Sequence, residues 1–181
     1  MDCRQPLPRL WMMTDERQGE GLFSALDALP EGGGIVFRHY SLAPEERRRL
    51  FLDVAETARR RELLLMLGGP PKLAESWGAD GSHGIADGQR SPPHLIRSAA
   101  VHNLTELKAA ETAGADFVFV SPVFPTRSHP GAPCLGPAGF AAIAREARVP
   151  VIALGGMNAG NFRELSDANA YGWAAIDAWS A

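Results

Sequence analysis

Residues 34–67 read GIVFRHYSLAPEERRRLFLDVAETARRRELLLML, and this stretch decides the fold. Its ends are short apolar runs of the β type, residues 34–39 and 62–67, separated by a segment with helical spacing. Pro44 suits the first turn of a helix, Glu45 and Glu46 favour the positive end of its dipole, and arginines stand at its close. The spacing predicts a helix over 44–60 with Leu50, Val54 and Ala58 as its apolar stripe. A strand, a crossover helix and a second strand form a unit that lays two parallel strands side by side.

Outward from that unit the pattern repeats. Further β-type runs fall at 9–14, 81–83, 95–100, 117–120, 151–154 and 171–176, with helices expected at 21–29, 71–76, 104–113, 137–145 and 159–168. This alternation predicts an α/β fold of the (β/α)8 TIM barrel type, with a five-stranded doubly wound sheet as the alternative. The 181 residues fall short of the ~200 or more usual for the barrel, so something is trimmed. Gly84, Gly88 and the Pro92-Pro93 pair stand where the fourth helix belongs, and that helix is expected to be missing or vestigial. With no linker or low-complexity break, residues 1–181 read as one domain.

Composition narrows the function classes. Hydrophobic residues make up 45% and charged residues 22%, as in ordinary globular proteins, and no apolar run approaches the ~18 residues that span a bilayer. The first residues lack the apolar stretch of a signal peptide, so a cytoplasmic location is expected. Cys3 and Cys134 have neither metal-ligand nor redox spacing. Eighteen basic against twenty-one acidic residues give a net charge of −3, which argues for no nucleic-acid and no membrane partner. The runs Arg47-Arg48-Arg49 and Arg59-Arg60-Arg61 read as a solvated face. Oligomer formation is left open.

In such a barrel, function lies at the C-terminal strand ends and the loops after them. His39, His83 and His102 end or follow strands there and His129 lies in the loop after the sixth strand, whereas His94 precedes a strand. Histidine can give and take a proton near neutral pH, so His102 and His129 are candidate acid/base residues. The long loop 121–136 carries Thr126, Arg127, Ser128 and His129, hydroxyl and cationic groups suited to an anionic ligand. After the seventh apolar run, Gly155-Gly156 lets backbone N–H groups approach a phosphate.

Together these segments resemble the thiamine phosphate synthase and TenI family. The resemblance runs through Gly78-Ala79-Asp80-Gly81-Ser82-His83, Val101-His102-Asn103, Gly114-Ala115-Asp116-Phe117, Ser121-Pro122-Val123-Phe124-Pro125-Thr126, Pro130-Gly131-Ala132-Pro133, Gly155-Gly156 and Tyr171-Gly172-Trp173-Ala174. It implies a (β/α)8 barrel of thiamine biosynthesis that takes a phosphorylated thiazole or pyrimidine. The family's synthase branch joins an aminopyrimidine diphosphate to a thiazole phosphate with Mg2+. On this reading Arg38, His83, Thr126 and Ser128 are candidates for substrate binding, His102 or His129 for proton movement, and Gly155, Gly156 and Asp177 for the phosphate site.

Several positions depart from the family pattern. Tyr40 stands for a lysine, Gly68-Gly69 for an Asn-Asp pair whose aspartate helps hold magnesium, and Ala100 for a serine. The second magnesium aspartate falls near Gly88, with Asp87 the close carboxylate; His129 replaces a lysine and Asp177 a serine. The TenI branch, a thiazole tautomerase, has a histidine where this chain has Pro122. The family's magnesium ligands are therefore not retained, and no metal-binding residue is assigned. The expected function is a family enzyme with a diverged site, the alternative a non-catalytic phospho-ligand-binding or regulatory barrel.

Overall fold

The computed structural model of the chain describes residues 6–84, 91–128, 131 and 133–179. Eight parallel strands close into a barrel in chain order: β1 (Leu10–Met13), β2 (Gly34–Phe37), β3 (Leu64–Gly68), β4 (Gly81–His83), β5 (Ile96–Val101), β6 (Phe117–Val120), β7 (Val151–Leu154) and β8 (Gly172–Ala175). The seam is β1 against β8, with Trp11 opposite Ala174. Five α-helices lie among the described residues: α1 (Leu22–Ala28), α2 (Pro44–Arg60), α3 (Pro71–Trp77), α4 (Leu104–Thr112) and α5 (Gly136–Glu146). None is long and apolar enough to cross a membrane.

Strands buried on both faces read as apolar runs, because one set of side chains fills the barrel and the alternate set meets the helices. Trp11, Met13, Val36, Met66, Phe117, Phe119 and Ile152 belong to the inner cluster, and Met12, Ile35, Phe37, Leu65, Leu67, Val118 and Val120 to the outer one. The Trp11 ring lies 4.9 Å from Phe117 and 5.5 Å from Phe119. Gly34 makes room for it: a Cβ there would stand 2.4 Å from Trp11 Cε3.

Helix α2 has the bounds its sequence implies, but its buried stripe is centred elsewhere. Phe51, Val54, Thr57 and Ala58 are buried, while Leu50 is only half-buried. Phe51 packs edge-on to Phe37 and against Trp77, so burial of an aromatic ring sets the rotation of the helix. The arginine runs are not uniformly solvated either. Arg48, Arg49, Arg59 and Arg60 are exposed, but Arg47 lies over aromatic rings and Arg61 donates to the carbonyls of Leu26 and Leu29.

Trimming occurs in the connections. After β7 the expected helix over 159–168 is only a 3-10 helix, Asn161–Leu165, preceded by an Asn158 side chain that accepts from the N–H groups of Gly160 and Asn161. Between β4 and β5 no helix occurs among the described residues; residues 85–90, where the missing fourth helix was expected, lie outside them. A 3-10 helix that sequence reading missed, Glu16–Gly21, follows β1. It is opened by a capping box in which Asp15 accepts from the Arg17 N–H and Gln18 Oε1 accepts from the Asp15 N–H.

Candidate functional site

The C-terminal mouth of the barrel holds a cavity of about 740 Å³, within the ~300–1,000 Å³ typical of small-molecule sites. Met13, Arg38, His83, His102, Ser121 to Pro122, Pro125 to Ser128, Leu154 to Asn158 and Ala175 to Ala178 line it. Of the residues assigned from sequence, Arg38, His83, His102, Thr126, Ser128, Gly155, Gly156 and Asp177 come together here. His129 lies outside the described residues. His39 does not line the cavity: it is buried, stacked on Phe37, with Nδ1 3.0 Å from the Thr14 hydroxyl. His94 stands on the opposite face of the barrel, near Glu75.

Arg38 is the best-anchored cation of the mouth. Its Nε donates to the Thr14 carbonyl at 2.7 Å and its Nη2 to Asp15 Oδ2 at 2.6 Å, while the Thr14 hydroxyl accepts the Arg38 N–H. Burial disfavours ionisation of Asp15, but hydrogen bonds from Arg17 and the charges of Arg17 and Arg38 outweigh it and hold the carboxyl below its usual range. Arg17 then reaches across the mouth to Ser128 Oγ at 3.1 Å, and Gln18 donates to the Ile176 carbonyl. The first 3-10 helix therefore ties together the loops after β1, β2, β6 and β8.

The two cavity histidines differ. His83 Nδ1 lies 3.0 Å from Ser98 Oγ, with the ring edge-on to Phe119. Burial, aided by the Arg38 charge, pushes its pKa down to about 4, so at neutral pH it is an uncharged hydrogen-bonding group. His102 is solvent-facing, and Glu106 Oε2 binds both its Nδ1 (2.7 Å) and its backbone N–H (2.8 Å). The hydrogen bond from the His102 side chain outweighs desolvation and lowers the Glu106 pKa. With Nδ1 engaged, Nε2 is the ring nitrogen left for a ligand. Glu106 is also capped onto Asn103 at the start of α4, so one helix terminus orients the imidazole. The D-x-x-Q and N-x-x-E spacings at 15–18 and 103–106 were the sequence signals for both arrangements.

The glycine pair is required sterically. Gly155 and Gly156 have φ of +91° and +65°, and a Cβ at either would press on the loop after β6, at 2.8 Å from Pro122 Cα and 2.4 Å from the Pro125 carbonyl. Asn161 Nδ2 secures the Gly156 carbonyl at 2.7 Å. Neither glycine N–H has an acceptor among the described residues. Asp177 faces Arg127 at 4.0 Å, so its charge is partly balanced.

Magnesium, implied by the resemblance, needs carboxylate oxygens besides those of a substrate phosphate. Among the described residues the donor set does not fit it. Gly68 and Gly69 offer no carboxylate, Asp15 is engaged by two arginines, and Glu106 is engaged by His102 and Asn103. Among the described residues no three His, Cys, Asp or Glu side chains gather, and Asp87 lies outside them.

Fold and site define a (β/α)8 barrel with an arginine-bearing cavity built from its strand-end loops. The chain belongs to the thiamine monophosphate synthase family, whose profile matches residues 10–179. It is 29% identical to the thiamine-phosphate synthase of Pyrococcus furiosus, over 98% of this chain and 89% of that protein. It is 28% identical to the thiamine-phosphate synthase of Chloroflexus aurantiacus, over 94% of this chain and 84% of that one. The solved thiamine phosphate pyrophosphorylase of Pyrococcus furiosus superimposes with a TM-score of 0.78 at 28% identity, covering 94% of this chain and 85% of that one.

Proposed function

We propose that this chain is a thiamine-pathway enzyme with a diverged active site, a single barrel domain spanning residues 1–181 that works in the cytoplasm and binds a thiazole phosphate or an aminopyrimidine diphosphate at its mouth. The observation that carries this reading is the pair of acceptor-free amides at Gly155 and Gly156 in the same cavity as Arg38. Unpaired N–H groups and an arginine are the groups that hold a phosphate. Thr126 and Ser128 add hydroxyls, neutral His83 contacts the heterocycle, and the proton is moved by His102, oriented by Glu106, at Nε2, or in its place by His129. No step is assigned to magnesium.

The second reading, a non-catalytic phospho-ligand-binding or regulatory barrel, is favoured by one observation: the glycines that end β3 supply no carboxylate. Calorimetric titration with thiazole phosphate, beside a turnover assay with both substrates, separates the two. Binding with turnover that His102→Asn abolishes supports the enzyme. Binding without turnover supports the second reading, and absence of binding overturns both.

A further inference from the structure

The cavity is lined from the ends of every strand except β3. The reason lies in three residues. Tyr40, in the loop after β2, rests its hydroxyl on Gly68 so closely that a Cβ at 68 would stand 2.3 Å from Tyr40 Oη. Gly69 follows with φ +148°, a conformation that side-chain-bearing residues rarely adopt. Arg47, from α2, locks the corner: its Nε donates to the Arg38 carbonyl and its Nη2 to the Gly68 carbonyl, both at 2.7 Å. Its guanidinium lies 5.1 Å from the Tyr40 ring centroid, 5.5 Å from that of Trp77 and 5.7 Å from that of Phe37.

The loops after β2 and β3 are therefore fastened to each other: Arg47 spends two of its donors on backbone carbonyls, and the Tyr40 ring lies over its guanidinium. This is the corner where the resemblance places a lysine and an Asn-Asp pair. Here the space is filled by a phenol ring, and neither glycine can take a side chain without rearrangement.

We propose that Tyr40, Gly68 and Arg47 form a wall that determines specificity, closing the mouth over β2 and β3 to a metal-bound diphosphate and leaving a site for one phosphate monoester bound without a metal ion. This rests on the reading that the cavity takes a phosphorylated ligand, and deepens it by naming the class: a heteroaromatic monophosphate. The monoester sits on the open side, at Gly155-Gly156 and Ser128.

The test is calorimetry on the full chain with thiazole phosphate and with inorganic pyrophosphate, each with and without Mg2+. The expected result is thiazole phosphate binding that Mg2+ does not alter, and pyrophosphate binding at least about tenfold weaker that Mg2+ does not rescue. Tyr40→Ala removes the ring and uncovers Arg47, and should tighten pyrophosphate binding by about tenfold while thiazole phosphate affinity stays as it was. Tyr40→Phe keeps the ring and should behave as the wild type. If wild-type protein binds thiazole phosphate but binds magnesium pyrophosphate more tightly still, the wall is overturned and the functional reading stands. If thiazole phosphate does not bind, the functional reading fails and the wall proposal falls with it. The wild-type titrations decide the matter even if Tyr40→Ala does not fold.

Discussion

At the scale of the residue, His83 and Asp177 carry the sharpest expectations. The pKa of His83 is about 4 in the folded chain, against ~6.5 for a free imidazole. Above pH 6.5 both states are neutral there and stability is full. As pH falls from 6.5 towards 4 the unfolded chain takes a proton that the folded one refuses, so stability drops, by roughly 3 kcal/mol at most. Urea denaturation across that window should show a smaller acid loss for His83→Gln than for wild type, and the His83 ring signal in NMR should titrate near 4 rather than 6.5. Asp177 lines the mouth beside the proposed phosphate position, and Arg127 balances only part of its charge. Asp177→Ser should therefore tighten thiazole phosphate binding by about tenfold, read by calorimetry; equal or weaker affinity would place the phosphate elsewhere. Strand-end position made His83 and His102 legible in the sequence, and the family resemblance did so for Arg38. It could not reveal that His39 turns aside to Thr14, or that Tyr40 rests on Gly68, because those contacts join separate loops.

At the scale of the element, the 3-10 helix after β1 is the feature on which the mouth depends. Asp15 caps it and also holds Arg38 and Arg17. Asp15→Ala removes the cap and leaves a half-buried guanidinium without its carboxylate, and should cost about 1–3 kcal/mol in urea denaturation. Asp15→Asn keeps an acceptor for the Arg17 N–H and should lose less. Helix α2 was legible to the residue because proline, acidic and arginine signals agree at both ends. The segment after β7 is helical over a shorter span than its sequence implies, Asn161–Leu165, and its start is marked by reciprocal hydrogen bonds between Asn158 and Asn161.

At the scale of the molecule, the barrel was legible because parallel strands buried on both faces leave nearly continuous apolar runs. The runs 81–83, 117–120 and 151–154 match their strands, and the ends of the other five differ by at most two residues. The interior has no slack around Trp11. Gly34→Ala would drive a methyl into its ring, which Phe117 and Phe119 hold from other sides, and should destabilise by about 1–3 kcal/mol with a lower thermal midpoint. The seam between β1 and β8 also bears on how the protein is made. The ribosome releases Leu10–Met13 long before Gly172–Ala175, and at ~5–20 residues per second the interval is on the order of ten seconds or more. Throughout synthesis an apolar strand carrying Trp11 lacks its final neighbour, a sticky edge offered to other nascent chains. The barrel can close only once Gly172–Ala175 is free to pair with Leu10–Met13.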